Sequence, residues 1–169
     1  MHPLIKKARQ FAQRAHGSQV YGEIYPYYKH LEDTNNVLKR FVYSEDNPNH
    51  LNLMIAVWLH DSMEDAAVSY SDIKKEFGEE VAEIVFCMTD ELGRNRKEKK
   101  SKTYPKIRSN KYSVVLKVAD RIANVEFSAT QESSHFSMYR KEYDDFEYHL
   151  RIHGHIDDMW DHLKKILFE

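Results

Sequence analysis

A His-Asp pair stands at the end of an almost wholly apolar segment, LNLMIAVWLH (51–60), where a carboxylate is unexpected. His60 closes this segment and Asp61 follows it directly. A buried acid is costly unless it is paired or bound to a metal. An imidazole nitrogen beside a carboxylate oxygen is a mixed set of ligands that zinc, manganese and iron all accept. The pair therefore indicates one corner of a metal site, to which other parts of the chain must add ligands.

Two other residues are candidates to complete this site. Asp120 lies in VVLKVADRIANV, a second apolar stretch, and His30 lies in PYYKHLEDTNNVL, near the start of a predicted helix. An unpaired carboxylate inside an apolar helix would again be expensive. On residue chemistry alone a second interpretation stays open, in which the histidine is part of the core and Asp120 forms a buried salt bridge with Arg121.

Two acids follow the His-Asp pair within the motif HDSMED. Glu64 comes four residues after His60, so both can face the same pocket. A divalent ion lowers the pKa of a bound water from about 15.7 towards about 7, and a nearby carboxylate can take its proton. Glu64 is predicted to do so, with Asp65 orienting the water or assisting. The alternative is that both acids belong to a solvated turn.

Four ordered pieces of the chain resemble the HD-domain family of metal-dependent phosphohydrolases: PYYKH (26–30), HDSMED (60–65), FGEEVAEIV (77–85) and KVADRIANV (117–125). Within that family they resemble in particular the hydrolase domain of Rel/Spo-type alarmone enzymes and their small free-standing relatives. The resemblance implies an all-α helical bundle. It also implies hydrolysis of the 3′-pyrophosphate of an alarmone such as (p)ppGpp or (p)ppApp.

The resemblance assigns a role to each matching residue. Asn124 matches a residue that contacts the nucleotide sugar, and Glu64 and Asp65 match the acidic pair that handles the attacking water. Leu59, not a second histidine, precedes His60, which favours one metal ion over two. That ion is expected to be Mn²⁺, with Fe²⁺, Zn²⁺, Co²⁺ and Ni²⁺ as alternatives. The residues that match its ligands are His30, His60, Asp61 and Asp120.

The chain departs from the alarmone hydrolases where they carry an Arg-Lys pair before the first metal histidine. Gln19, Val20 and Tyr21 occupy that stretch, and Phe127 stands where a sugar-contacting threonine is expected. Two alternatives to alarmone hydrolysis therefore stay open. One is a 5′-nucleotidase or (deoxy)nucleoside triphosphate phosphohydrolase on the same scaffold. The other is a non-enzymatic, antitoxin-like binding module.

Positive charge is concentrated in residues 94–111, which carry nine Lys or Arg against one Glu, although the net charge of the chain is −2. A local basic patch on a nearly neutral protein favours a small phosphorylated nucleotide as partner over a long nucleic acid. Tyr21 is expected to stack on the base. The residues expected to hold phosphates are Arg94, Arg96, Lys97 and Lys102. A solvated charged helix face is the alternative interpretation for each of them.

The elements that must position these residues are predicted to be seven to nine helices and no sheet. The chain has 169 residues and only nine Gly and Pro, which suits one compact helical domain over 1–169. Its core is expected at about 1–130, with additional helices in 131–169. Apolar residues recur at helical spacing over the segments near 2–16, 28–43, 51–60, 81–88, 114–122, 135–150 and 155–168. A short helix is expected to be capped by Ser71 and to end at Gly78.

No membrane association is expected, because the sequence contains no run of 18 apolar residues. The first residues do not resemble a secretory signal. Cys87 is the single cysteine, and its position in VAEIVFCMT predicts a small buried hydrophobe. These features predict a cytoplasmic protein, and a homodimer stays open.

Overall fold

The computed structural model describes residues 1–131 and 133–169, and in that part of the chain it confirms the all-α fold. Ten α-helices are present among these residues; nine are longer than one turn, and α4 is a single turn. They run α1 Pro3–His16, α2 Tyr28–Arg40, α3 Leu51–Leu59, α4 Ser62–Asp65, α5 Tyr70–Phe77, α6 Glu79–Met88, α7 Arg96–Arg108, α8 Lys111–Thr130, α9 Ser134–Leu150 and α10 Asp157–Phe168. A 3₁₀ turn, Pro48–His50, precedes α3.

Helices α3 and α8 form the centre of the bundle. Every residue of α3 from Leu53 to Leu59 is buried, as expected for a helix that is apolar on all sides. The longer α8 packs against α2, α3, α6, α7, α9 and α10. Because His60 directly follows α3 and Asp120 lies within α8, the candidate site is built on the two central helices of the bundle.

The start of α5 differs from the sequence prediction. Ser69, not Ser71, is the N-cap: its side chain accepts a hydrogen bond from the Asp72 N–H, and the Asp72 carboxylate accepts one from the Ser69 N–H. This reciprocal pair is a capping box, which needs the acid three residues after the cap. Ser71 has no acid at that distance and is exposed within the helix, so the predicted cap was wrong. Gly78 ends the helix as predicted.

A small hairpin between α1 and α2 contradicts the expectation of no sheet. Strands β1 (Val20–Tyr21) and β2 (Tyr25–Pro26) pair antiparallel. Two residues per strand are too few to show an alternating pattern of useful length, so these strands could not be predicted from the sequence. Gly22 allows the turn with φ +63°, and an added Cβ there would come within 2.9 Å of the Phe127 ring.

The C-terminal helices share the core of the rest of the bundle. Buried apolar side chains of α9 and α10 belong to the same contiguous cluster as those of α1 to α8. They include Phe146, Leu150, Trp160 and Leu163. Cys87 is buried and free, as predicted. Among the described residues, no helix combines the length and apolar character needed to cross a membrane.

Candidate metal centre

Three helices deliver the four candidate ligands to one point. His30 lies in the first turn of α2, His60 directly follows α3, and Asp120 lies in the middle of α8. Asp61 occupies the corner between α3 and α4. Both histidines are almost fully buried, at 2% and 1% exposure, so each needs a partner for its polar nitrogens.

The four side chains converge as the sequence predicts. His30 Nε2 lies 3.3 Å from Asp61 Oδ2, 3.2 Å from Asp120 Oδ1 and 3.3 Å from His60 Nε2. His60 Nε2 lies 3.2 Å from Asp61 Oδ2 and 3.9 Å from Asp120 Oδ1. His30, His60 and Asp120 each offer one ligand atom, and these atoms all lie within 4.8 Å of one another. Asp61 approaches both histidines, which makes a set of two nitrogens and two oxygens.

The hydrogen bonds of His60 fit a metal ligand. His60 Nδ1 lies 2.8 Å from the Val57 carbonyl oxygen. Because a carbonyl only accepts, Nδ1 carries a proton, which leaves Nε2 as the nitrogen that would bind an ion in the cluster. Atoms bound at about 2.1 Å to one ion stand about 3 Å apart, close to the separations found between His30, His60 and Asp61. The donor set therefore suits a divalent cation.

The charges of the cluster also favour a cation at its centre. Burial lowers the pKa of His60, but the facing carboxylates Asp61 and Asp120 outweigh that effect and raise it to about 10. The pKa of His30 is raised in the same way, with hydrogen bonds to the two acids overcoming burial. For Asp120, burial is outweighed by Lys117 and the histidines, which hold its pKa well below its usual range. Two carboxylates around two imidazoles thus attract positive charge, whether a proton or a metal ion.

Neighbouring side chains fix both carboxylates. Lys117 Nζ lies 3.1 Å from Asp120 Oδ2, and Asn124 Nδ2 donates to Asp120 Oδ1 at 2.6 Å. The Tyr27 hydroxyl donates to Asp61 Oδ2 at 2.7 Å. The predicted alternative of an Asp120–Arg121 salt bridge is not found, because Arg121 pairs with Glu142 instead, at 3.3 Å.

The acids of the HDSMED motif lie at the exposed rim of the same cavity. The single turn α4 carries Glu64 and Asp65, whose N–H groups donate to the Asp61 carbonyl at 3.2 and 2.9 Å. Glu64 Oε2 accepts a hydrogen bond from the Asp90 N–H at 3.0 Å. Partial burial raises the pKa of Glu64. Asp65 Oδ2 lies 3.0 Å from the Tyr27 hydroxyl, so both acids are oriented by the protein.

A cavity of about 240 Å³ opens over the cluster. Among the described residues its lining contains five acids, two of which are Asp61 and Asp120 of the candidate metal site, together with four cations, three tyrosines, one histidine and one asparagine. The side chains that line it are Tyr21, Tyr27, His30, Asp61, Glu64, Asp65, Asp90, Arg96, Lys100, Lys117, Asp120, Arg121, Asn124 and Tyr139. A second cavity of about 620 Å³ adjoins it and shares Tyr21, Asn124 and Tyr139.

The structure brings only one of the four predicted phosphate-binding residues to this cavity. Arg96 lines it, whereas Arg94, Lys97 and Lys102 do not. Arg94 and Lys102 each pair with Glu98 at 2.9 Å, on the outer side of α7, and this holds them away from the cavity. Lys97 is exposed. The expectation that these three residues hold phosphates is therefore not supported by their placement.

Lys100 is the cation of α7 that sequence reasoning missed. It lies in the buried stripe of that helix with Thr103, Tyr104 and Ile107, at spacings i, i+3, i+4 and i+7. This spacing was the available signal, since it predicts that Lys100 turns inward. Tyr27, Lys117 and Tyr139 were also missed, because each sits in a run that reads as packing or as ordinary surface charge.

Tyr21 is next to the site, but its polar and apolar atoms already have partners. Its hydroxyl donates to Asn124 Oδ1 at 2.8 Å. Its ring packs against Phe127, with centroids 4.3 Å apart, and against His30 at 4.9 Å. Tyr21 and Phe127, two of the positions that depart from the alarmone-hydrolase pattern, therefore contact each other. Stacking of Tyr21 on a base stays a prediction.

Comparison with known proteins identifies the family. The profile of the HD domain family matches residues 8–145 of the chain. A curated relative, the guanosine-3′,5′-bis(diphosphate) 3′-pyrophosphohydrolase of Aquifex aeolicus (strain VF5), is 32% identical over 127 residues. The match covers 72% of this chain and 17% of that protein, so the chain spans only a small part of its relative's length.

Solved structures share the fold. One is described as a metazoan ortholog of SpoT that hydrolyzes ppGpp and plays a role in starvation responses; it superposes with a TM-score of 0.74 at 20% identity, covering 98% of this chain and 96% of the other. Another, lmo0812 from Listeria monocytogenes EGD-e, has a TM-score of 0.61 at 22% identity and covers 83% and 99%. Together with the extent of the profile match, these likenesses show that the chain belongs to the HD domain family.

Proposed function

We propose that the chain is a metal-dependent phosphohydrolase that removes pyrophosphate from the 3′ position of a nucleotide such as (p)ppGpp or (p)ppApp. The observation that carries this proposal is the convergence of His30, His60, Asp61 and Asp120 beneath a cavity that also contains Glu64 and several cations. The name of the Aquifex relative supports the choice of substrate. A small phosphorylated nucleotide is therefore the proposed partner.

The metal in this proposal is Mn²⁺, held by the four-residue cluster. Two imidazoles and two carboxylates form a mixed set that manganese accepts, and iron, zinc, cobalt and nickel are the competitors. Such a cation supplies positive charge that polarises a phosphoryl oxygen and makes water easier to deprotonate. The protein keeps the set in order through the Val57 carbonyl on His60 and through Tyr27, Lys117 and Asn124 on the carboxylates.

Glu64 is the proposed base. Its raised pKa brings the carboxylate closer to the pH at which a base works best. The Asp90 N–H holds Oε2, which fixes the orientation of the group while it takes a proton from the attacking water. Asp65, held next to Tyr27, is proposed to orient that water.

The two adjoining cavities suit two different parts of the substrate. The cationic side chains of the metal cavity suit phosphate groups. The adjoining cavity, bordered by Tyr21, Phe127 and Tyr139, has the aromatic walls that suit a nucleoside. The shared residues Tyr21, Asn124 and Tyr139 would then contact the sugar between them.

The direct test is incubation of the Mn²⁺-loaded protein with ppGpp, ppApp and a panel of 5′-nucleotides, with the released group identified by chromatography. Pyrophosphate and a nucleoside 5′-diphosphate are expected from ppGpp or ppApp. Metal analysis of the purified protein should find one divalent ion per chain. If a metal-loaded protein releases nothing from any nucleotide, the enzymatic proposal is wrong and a binding module takes its place.

A 5′-nucleotidase is the second candidate, and one feature favours it. Gln19, Val20 and Tyr21 occupy the stretch in which an Arg-Lys pair is expected for alarmone hydrolases, and Tyr21 contacts Phe127 instead of offering a charge. Release of inorganic phosphate from nucleoside 5′-monophosphates, without pyrophosphate release from ppGpp or ppApp, would establish this candidate in place of the first.

A further inference from the structure

Lys100 is a buried cation whose ammonium group faces the metal cavity. It is 8% exposed and lines the cavity wall contributed by α7. The buried stripe of α7 directs it inward, while its neighbours Lys97 and Lys99 are exposed to solvent. Burying an ammonium group is costly unless it is paired and hydrogen-bonded, so its surroundings decide what it can do.

Those surroundings leave Lys100 without a close partner. The other cations of the cavity are paired: Lys117 with Asp120 at 3.1 Å, and Arg96 and Arg121 with Glu142. The acidic oxygen near Lys100 is Asp90 Oδ1, at 3.8 Å. This exceeds hydrogen-bond distance, and within residues 1–131 and 133–169 the structure shows no hydrogen bond from the Lys100 ammonium.

The charges around Lys100 do not neutralise it. Burial lowers the pKa of Lys100 to about 8, and Lys117, Arg121 and Arg96 repel its charge while Asp90 only partly compensates. A group in this situation gains from an anion that enters the cavity. An oxyanion is the natural ligand, because it accepts several hydrogen bonds at once.

This anion position is separate from the metal cluster. Among the described residues the acid near the Lys100 ammonium is Asp90, at 3.8 Å. Asp61 and Asp120 pair instead with the histidines of the cluster. Lys117 is the neighbour common to both places, since it also pairs with Asp120. A ligand that carries two phosphate groups can therefore place one at the cluster and one at Lys100.

We propose that Lys100 binds a second phosphate group of the substrate, distinct from the group hydrolysed at the His30–His60–Asp61–Asp120 cluster. The site thereby prefers nucleotides phosphorylated at two positions over those phosphorylated at one. The identification of this ligand as a nucleotide rests on the proposed function. For a 3′,5′-bis(diphosphate), the second group is the 5′-diphosphate, which stays on the product.

The test uses the Mn²⁺-loaded full chain and two probes: GDP, which keeps only the 5′-diphosphate, and guanosine, which has no phosphate. Calorimetric titration with GDP should show affinity lower by about tenfold or more for Lys100→Gln than for the unsubstituted chain, because a charge-assisted hydrogen bond is lost. Guanosine binding should not change. Lys100→Arg, which keeps the charge, should restore most of the GDP affinity.

Lys99→Gln is the matched control, because Lys99 is an exposed cation on the same helix and should bind GDP like the unsubstituted chain. In ppGpp hydrolysis, Lys100→Gln should raise KM by a similar factor and leave kcat within about twofold. If the unsubstituted chain hydrolyses ppGpp but Lys100→Gln keeps its KM and GDP affinity, the role of Lys100 is refuted and the proposed function stands. If the unsubstituted chain releases no pyrophosphate, the proposed function fails, whatever Lys100 does to GDP binding.

Discussion

The Tyr27 hydroxyl donates a hydrogen bond to Asp61 Oδ2 at 2.7 Å. The same hydroxyl lies 3.0 Å from Asp65 Oδ2, so one proton stands between a proposed metal ligand and a proposed water-orienting acid. Burial and the two carboxylates raise the pKa of Tyr27, which keeps the hydroxyl a donor. His16 stacks on the Tyr27 ring with centroids 4.5 Å apart and fixes its position.

Tyr27→Phe removes this hydroxyl and should weaken Mn²⁺ binding. Groups that orient metal ligands typically contribute about 10–100-fold to metal affinity or activity. The expected result is a loss of that order in Mn²⁺ affinity, measured by calorimetry, with the helical circular dichroism unchanged. Tyr25→Phe is the control, since that ring packs on Phe127 away from the carboxylates. Equal affinities for the two variants would show that the Tyr27 hydroxyl has no role in the site.

Asp120→Asn should abolish the thermal stabilisation that Mn²⁺ gives the protein. A ligand at about 100 times its Kd stabilises the folded state by about 2.7 kcal/mol, so the melting temperature should rise clearly when Mn²⁺ replaces EDTA. The amide is a weaker ligand and should lose most of that rise. Asp144→Asn, an exposed acid of α9, should keep all of it. A full Mn²⁺ response in Asp120→Asn would remove Asp120 from the metal site.

The sequence was sufficient to select the four candidate ligands, because Asp61 and Asp120 stand out in apolar stretches and the resemblance to the HD-domain family adds His30 and His60. An acid after IAVWL and an acid inside VVLKVAD have few explanations other than a partner or a metal. Helix positions followed from apolar spacing in the same way, and most predicted boundaries lie within a few residues of the observed ones. Acids within apolar stretches are thus found by sequence reasoning, whereas a buried lysine in a charged segment, such as Lys100, is not.

The cavity wall that α7 contributes is harder to predict from the sequence than the cluster. Helix α7 carries charges on every side, so the choice between Lys100 and Lys102 depends on how the helix is rotated. That rotation is set by Tyr104 and Ile107, which pack inward, and by Glu98, which pairs with Lys102 outside. Tyr27 and Tyr139 give no sequence signal, because buried tyrosines near a site look like packing residues.

Glu64→Gln should remove hydrolysis without removing the metal. Loss of a general base typically lowers kcat by about 10²–10⁴-fold, and Glu64 contacts neither histidine of the cluster in the hydrogen bonds of the described residues. The measurement is kcat for pyrophosphate release together with metal content per chain. Glu79→Gln, which affects only an exposed ion pair with Lys74, should retain the activity. An active Glu64→Gln enzyme would assign the base to another residue.

Lys100 should make the stability of the protein depend on pH in the alkaline range. Its pKa is about 8 when folded, against 10.5 for the unperturbed group. Between these values the unfolded chain binds the proton and the folded one does not, so stability rises with pH through this window; below about pH 8 both forms are protonated and the gain is absent. The difference should be up to about 3 kcal/mol.

Lys100→Met removes both the charge and this pH dependence. At about pH 7 the variant should be more stable than the unsubstituted chain, because a buried charge that lacks a close partner is gone. At about pH 10 the two should differ much less, since Lys100 is then largely neutral in the folded protein. Urea unfolding at both pH values measures the free energy of unfolding of each protein. The difference between the two proteins at one pH cancels the contributions of the other titrating groups. Lys99→Met, exposed on the same helix, should follow the unsubstituted chain. If Lys100→Met shows the same rise in stability with pH as the unsubstituted chain, burial of the Lys100 ammonium does not lower the stability of the folded protein. The expectation that a bound phosphate offsets such a cost would then be wrong.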